Sequence, residues 1–319
     1  ARSLGDTKLE SQLLLMLAQI LTALGQTKET LEVLEANLFI AGQQKIVSTE
    51  NQILSLLGST YGLIGKFNQA FALVEQALKM AHNNKDRFGE LTALRRMGQL
   101  YLQTMQLDKA LEAFDCGLEL AYILEAKIDE AMFENGRGDV YRYLSELDMA
   151  RECYEKLLNI ANSMDNIAAK TLANHNLGLV SLELGIYHDA LRKLEKALEE
   201  HNKLGQNRLM AEAYCALAYT NEQLGQIEAS QQNYQIAIEL CQRIIHPTYE
   251  WQAHYGLANS FWMFGQIDKA LEELQKAQEI IQALCDNLPD NVDLTVFMRD
   301  KLKVQALIED IEISQQEDF

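Results

Sequence analysis

The stretch Leu94–Phe114, LRRMGQLYLQTMQLDKALEAF, contains the pattern that decides the fold of this chain. Gly98 is followed by Tyr101, by the small residue Ala110 and by the large apolar residue Phe114. The pattern returns seven times at an unbroken interval of 40 residues. The small residues at the position of Gly98 are Ala18, Gly58, Gly98, Gly138, Gly178, Ala218 and Ala258.

Two further positions repeat at the same interval. The second small position holds Thr30, Ala70, Ala110, Ala150, Ala190, Ser230 and Ala270, and the large position holds Leu34, Val74, Phe114, Tyr154, Leu194, Tyr234 and Leu274. The apolar spacing within each half-unit is helical, and glycines such as Gly65 and Gly185 stand at the breaks between halves. Each unit is therefore expected to be two antiparallel helices, A and B, whose small residues let the backbones approach.

A single pair of such helices cannot bury its apolar face, so neighbouring pairs must stack. We therefore predict an all-α fold, a right-handed α-solenoid of seven helix-turn-helix units followed by a C-terminal capping helix. The predicted boundaries are residues 1–286 for the seven units, 287–313 for the capping helix and 314–319 for an acidic tail.

The repeated pattern resembles the tetratricopeptide repeat (TPR) family. The family core, L-G-x2-Y followed by A-x3-F, is matched by Leu57-Gly58 with Tyr61, Ala70 and Val74. The resemblance covers residues 10–285, although the tryptophan expected three positions before the leucine is absent and the period is 40 rather than the commoner 34. The longer period implies helices longer than usual in the family, and the resemblance implies a function in protein–protein interaction.

Charge and composition exclude several classes of partner. The chain has 28 basic and 46 acidic residues, a net charge of −18 and a pI near 4.8. It would repel phosphate backbones and anionic membrane surfaces, so neither nucleic acid nor a membrane is expected to bind. A protein or peptide partner is expected, basic or neutral rather than acidic. Five cysteines without a C-x-x-C pair favour a cytoplasmic protein.

The sequence contains no pattern that indicates catalysis. There is no phosphate-binding glycine loop, no nucleophile elbow and no cysteine–histidine grouping with metal-ligand spacing. Histidines near the predicted helix ends, including His201 and His246, are expected to be exposed. We therefore expect no enzyme activity within these residues and no cofactor or metal.

The expected binding surface is the concave groove lined by the A helices. Arginine and asparagine side chains there suit the backbone groups and carboxylates of an extended peptide, and aromatic side chains suit an anchoring patch. An alternative is that they are ordinary surface or packing residues. The candidate ligand-binding residues are Arg95, Arg96, Gln99, Asn135, Asp139, Arg142, His175, Asn176, Tyr219, Tyr255, Asn259 and Trp262.

One known TPR binding mode is not expected here. TPR domains that grip acidic C-termini use a lysine and asparagines at set positions of helix A. The position three before the small residue holds Ser55, Arg95, Asn135, His175, Cys215 and Tyr255 and never lysine.

The C-terminal segment resembles the junction between TPR arrays and CHAT domains, which are caspase-like proteases of bacteria. The resemblance lies in Leu288–Asp290, Phe297–Val304 and Leu307-Ile308. It implies that the array is the sensor of a TPR-CHAT protease, with a fused or partner protease domain whose catalytic residues lie beyond residue 319.

Three other functions remain open. In the first, the chain is a stand-alone scaffold that bridges partner proteins. In the second it is a receptor for a short peptide pheromone, and in the third a module that self-assembles through its convex face.

Overall fold

The computed structural model of the protein describes residues 7–44, 47–289 and 294–317. The described residues form fifteen α-helices and no β-strand. Within them, no helix is both long and apolar enough to cross a membrane. The helices are α1 (Thr7–Ala23), α2 (Thr27–Gln44), α3 (Val47–Leu63), α4 (Phe67–Asn83), α5 (Arg87–Gln103), α6 (Leu107–Ile123), α7 (Lys127–Tyr143), α8 (Leu147–Ser163), α9 (Ile167–Glu183), α10 (Tyr187–Lys203), α11 (Asn207–Gln223), α12 (Ile227–Ile244), α13 (Pro247–Met263), α14 (Ile267–Cys285) and α15 (Leu294–Glu317).

The helices pair into seven hairpins, from α1/α2 to α13/α14, followed by α15. This confirms the predicted all-α fold of seven helix-turn-helix units. Odd-numbered helices are the A helices and even-numbered ones the B helices. Most have 17 residues, as in α5 and α6, which corresponds to a length of about 25 Å.

The turns between helices follow a period of 20 residues. At each described turn, one residue adopts a positive φ, in the left-handed region that ends many helices. The N–H of the following residue donates to the carbonyl five positions earlier, as from Lys66 to Tyr61 at 2.9 Å and from Gln106 to Tyr101 at 2.8 Å. The positive-φ residues are Gly25, Gly65, Lys85, Met105, Glu125, Ser145, Asp165, Gly185, Gly205, Gly225, Ile245 and Gly265.

The interior of each hairpin is filled by a contact between the small residue of helix A and the large residue of helix B. A Cβ built on Gly58 would lie 2.6 Å from Val74 Cγ2 and 3.0 Å from the Ala70 carbonyl oxygen. A Cβ on Gly138 would lie 2.5 Å from the ring of Tyr154. All seven large residues are buried, as predicted: Leu34, Val74, Phe114, Tyr154, Leu194, Tyr234 and Leu274.

The chain divides into two compact units, residues 1–173 and 174–319, with the boundary inside α9. In the first unit the core around Phe114 continues from α5 and α6 into α7 through Phe133. In the second, the core around Tyr234 joins α11, α12 and α13. Stacking of hairpins therefore builds the interior of each unit.

The C-terminal helix differs in its bounds from the predicted capping helix. α15 runs from Leu294 to Glu317, so it begins after residue 287 and continues through the segment predicted as an acidic tail. Its residues Val304, Leu307 and Ile311 are buried. Asp318 and Phe319 of the predicted tail lie outside the described residues.

Gly58→Ala should destabilise the first unit by about 1–3 kcal/mol, since the new methyl overlaps the stiff Val74 side chain and the Ala70 carbonyl. Gly42→Ala is the control, because Gly42 is an exposed helical residue whose Cβ would meet nothing closer than Glu50 at 4.0 Å. It should be neutral or stabilising by up to about 1 kcal/mol. Urea unfolding followed by circular dichroism tests both, and equal effects would contradict the packing described.

Ile245→Gly should stabilise the second unit by about 1 kcal/mol, because Ile245 holds a φ of 55° that costs a β-branched residue energy and glycine none. Gln232→Gly is the control: Gln232 is exposed and lies in the interior of α12, where glycine should destabilise by about 0.5–1 kcal/mol. Both tryptophans, Trp251 and Trp262, lie in α13, so tryptophan fluorescence during urea unfolding reports this unit. The same sign for both substitutions would refute the account.

Candidate functional site

The A helices lie closer to one another than the B helices do. In the first unit α1 contacts α3, α3 contacts α5 and α5 contacts α7, and in the second α11 contacts α13. Among the described residues, no two B helices of neighbouring hairpins show a comparable contact. Within each unit the A helices therefore form the more tightly spaced side of the stack, which we call the A face. The candidate residues lie on these helices.

On α5, the A face presents two arginines in different surroundings. Arg96 donates from Nη1 to Gln99 Oε1 at 3.1 Å, and both residues are half-buried. The neighbouring Arg95 has a buried Nε without a hydrogen-bond partner among the described residues. Burial lowers its pKa, and the Asp129 carboxylate of α7 acts against that effect. Arg95 therefore belongs partly to the packing between α5 and α7.

On α7, a polar network fixes the candidate residues. Asn135 donates to Asp139 Oδ2 at 3.0 Å, and the Tyr154 hydroxyl donates to Asp139 Oδ1 at 2.7 Å. Burial and the Asp139 carboxylate raise the pKa of Tyr154 well above its usual value, and the nearby Arg142 opposes that shift. The guanidinium of Arg142 also lies 5.2 Å from the ring centre of Tyr143. This network orients an amide, a carboxylate and a guanidinium on one helix face.

The sequence pattern identified Tyr154 only as a core residue. Its side chain is fully buried against Gly138, yet its hydroxyl reaches the A face and orders Asp139. A tyrosine at a position that holds leucine, valine or phenylalanine in most other repeats is the one sequence signal for this role.

In the second unit, two candidate residues are buried. His175 has no exposed surface and Asn176 is 4% exposed, so neither side chain forms part of an open surface. The His175 ring packs edge-on against His201 with ring centres 5.2 Å apart, and its Nε2 lies 3.9 Å from Glu212. The periodicity placed His175 on helix A correctly, but the side chain points towards the neighbouring helices.

The expectation that His201 and His246 are exposed is wrong. Both are buried: His201 lies in the last turn of α10 and packs against His175 of α9, and the ring of His246 stacks on Tyr249. His201 Nδ1 pairs with Gln206 Oε1 at 2.7 Å, and burial lowers its pKa. His246 caps α13 by accepting from the Tyr249 N–H, and burial lowers its pKa to about 3.

The remaining candidates of the second unit lie on α11 and α13. Tyr219 is 44% exposed, while Tyr255, Asn259 and Trp262 are half-buried. The Asn259 amide donates to Glu222 Oε1 at 3.2 Å, which links the two A helices. Burial raises the pKa of Glu222, a residue outside the predicted candidate set. This part of the A face therefore combines aromatic rings with a buried carboxyl.

Family models described as tetratricopeptide repeat match the chain over residues 49–122, 135–164 and 223–284. Together with the hairpin architecture, these matches show that the chain belongs to the tetratricopeptide repeat family. No curated protein matches it.

Solved structures with the same fold include a subunit of the APC/C Cut9–Hcn1 hetero-tetramer, with a TM-score of 0.65 and 14% identity over 97% of this chain and 56% of the other. NprR in complex with its cognate peptide NprX has a TM-score of 0.61 and 16% identity, over 91% of this chain and 88% of the other. A Rap protein complexed with competence and sporulation factor has a TM-score of 0.59 and 12% identity, over 97% of this chain and 99% of the other. At these identities the likeness shows the fold, and the chain spans about half of the Cut9–Hcn1 chain that it matches.

The buried histidines predict that the second unit loses stability as the pH falls from 7.5 to 5.5. Unfolded histidines take up a proton near pH 6.5, whereas His246 and His201 in the folded state do so only at lower pH. Each of these histidines therefore lowers the free energy of unfolding by up to about 1.4 kcal/mol for every pH unit below 6.5.

His246→Asn should flatten this pH dependence, because asparagine caps a helix well and does not titrate. His188→Asn is the control, since His188 is exposed. The measurement is the free energy of unfolding from tryptophan fluorescence at several pH values. Identical slopes for His246→Asn and the unsubstituted protein would contradict the assignment.

Proposed function

We propose that the protein binds an extended polypeptide segment on its A face. The observation that carries the proposal is the ordered polar network of α5 and α7. Arg96 is held by Gln99, and Asn135, Asp139 and Arg142 are held around the Tyr154 hydroxyl. Side chains fixed in this way lose little freedom on binding, and amides and guanidiniums match the hydrogen-bonding groups of a peptide backbone.

The structural relatives favour a short peptide as the ligand. NprR, which was solved with its cognate peptide NprX, and the Rap protein, which was solved with competence and sporulation factor, match this chain over most of both lengths. We therefore place a short-peptide receptor first among the possible forms of the function. The net charge of −18 favours a basic or neutral peptide.

A second candidate is the sensor array of a bacterial CHAT-type protease. Its support is the resemblance of the C-terminal segment to a TPR–CHAT junction; Asp290 of that segment lies outside the described residues. The coding sequence downstream of Phe319 tests it. A continuous frame with a caspase-like histidine and cysteine supports the sensor, and a stop codon close by supports a receptor or a stand-alone scaffold.

The binding proposal is tested with a library of random fluorescein-labelled heptapeptides, enriched on the immobilised protein and measured by fluorescence polarisation. The double variant Arg96→Gln with Arg142→Gln should weaken binding of the enriched peptides at least about tenfold, which corresponds to about 1.4 kcal/mol. The loss is expected because both guanidiniums lie on the A face.

The matched control is the double variant Arg151→Gln with Arg192→Gln, which also removes two arginine charges, but from the B helices α8 and α10. Its affinity should stay within about twofold of the unsubstituted protein, since exposed ion pairs contribute little. Failure to enrich any peptide, or an equal loss in the control, would refute the proposal.

A further inference from the structure

Glu222 is a carboxylate without a cationic partner in the interior of the A face. Its side chain lies on α11 and is only 7% exposed. One oxygen, Oε1, accepts from Asn259 at 3.2 Å, and the other, Oε2, is buried without a hydrogen-bond partner. No lysine, arginine or histidine of the described residues forms an ion pair with it. A buried carboxyl in this condition is costly unless something satisfies it.

The other acidic side chains buried on the A helices are satisfied. Glu90 pairs with Arg87 at 2.7 Å and Glu130 with Lys127 at 2.9 Å. Glu134 is held by Arg137 at 3.1 Å. Glu222 differs from these residues, because its Oε2 is buried and has no hydrogen-bond partner among the described residues. A buried polar atom of this kind requires an explanation.

Tyrosine side chains lie near the Glu222 carboxyl. Tyr219 precedes it by three positions and therefore lies beside it on α11. Burial raises the pKa of Tyr219 and that of the buried Tyr234, and the nearby Glu222 carboxylate adds to both shifts. Tyr255 and Asn259 are neighbours on the facing helix α13. A carboxylate combined with aromatic rings is the chemistry that recognises an alkylammonium or a guanidinium group.

We propose that Glu222 and Tyr219 form a seat for one basic side chain, lysine or arginine, of a peptide bound on the A face of the second unit. The inference rests on the proposed peptide-binding function and specifies one position of its ligand. The cation would displace the exposed Tyr219 phenol, pair with Glu222 Oε2 and stack on the tyrosine rings. Asn259 would hold Oε1 in place.

A test without any peptide uses n-butylammonium chloride as a probe for a lysine side chain. The protein is labelled with [5-13C]glutamate, and the Glu222 carboxyl signal is assigned by its loss in Glu222→Gln. We expect a saturable shift of this signal with n-butylammonium and none with n-butanol. No shift, or an equal shift with both compounds, would overturn the seat.

A second test uses pentapeptide mixtures in which one position is fixed as lysine, arginine, norleucine or glutamate. One position should prefer lysine or arginine over norleucine at least about tenfold, and Glu222→Gln should reduce that preference to about twofold or less. Glu239→Gln, which removes an exposed carboxylate from α12, should retain it. The variant Glu222→Gln keeps the hydrogen bond from Asn259, so its fold is expected to persist.

The two tests separate the two proposals. If peptides bind without a basic preference, or keep the preference in Glu222→Gln, the seat is wrong and the peptide-binding function stands. If no mixture binds, the peptide-binding function fails, and the carboxyl shift with n-butylammonium alone decides whether the seat exists.

Discussion

The close approach of helix A and helix B within each hairpin is the contact on which the rest of the structure depends. A glycine or alanine on helix A leaves the space that a large residue of helix B fills, as with Gly58 and Val74 or Gly138 and Tyr154. Because that spacing fixes where the helix B side chains end, it also positions side chains of the A face, where we propose that a peptide binds. The Tyr154 ring packs closely against Gly138, and its hydroxyl reaches Asp139.

The 40-residue period of small and large residues was sufficient to predict the hairpins and their number, whereas the packing of the large residue of helix B on the small residue of helix A came from the structure. The finer 20-residue period of the turns was not evident, because only some turns contain glycine. Met105 and Ile245 carry no local signal for a positive φ. They adopt it because the backbone hydrogen bonds that close the helix end, together with the packing of the next helix, outweigh the preference of the residue.

The helices that carry the candidate residues could be predicted from the sequence, but the burial of each side chain could not. Helical periodicity gives the direction of a side chain around its own axis, whereas burial depends on the adjacent hairpins. Thus Arg96 and Asn135 lie on the A face, while His175 is enclosed by neighbouring helices. The isolation of Glu222 could not be inferred from sequence at all, since it is defined by the absence of a cation among residues that only the fold brings near.

Hydrogen–deuterium exchange of the protein with and without an enriched heptapeptide tests the central claim most directly. In each unit that the peptide contacts, we expect slower exchange in the fragments from the A helices, α5 and α7 in the first unit or α11 and α13 in the second, with the B helices α6, α8, α12 and α14 unchanged. Protection confined to the B helices, or no protection at a saturating peptide concentration, would contradict binding on the A face.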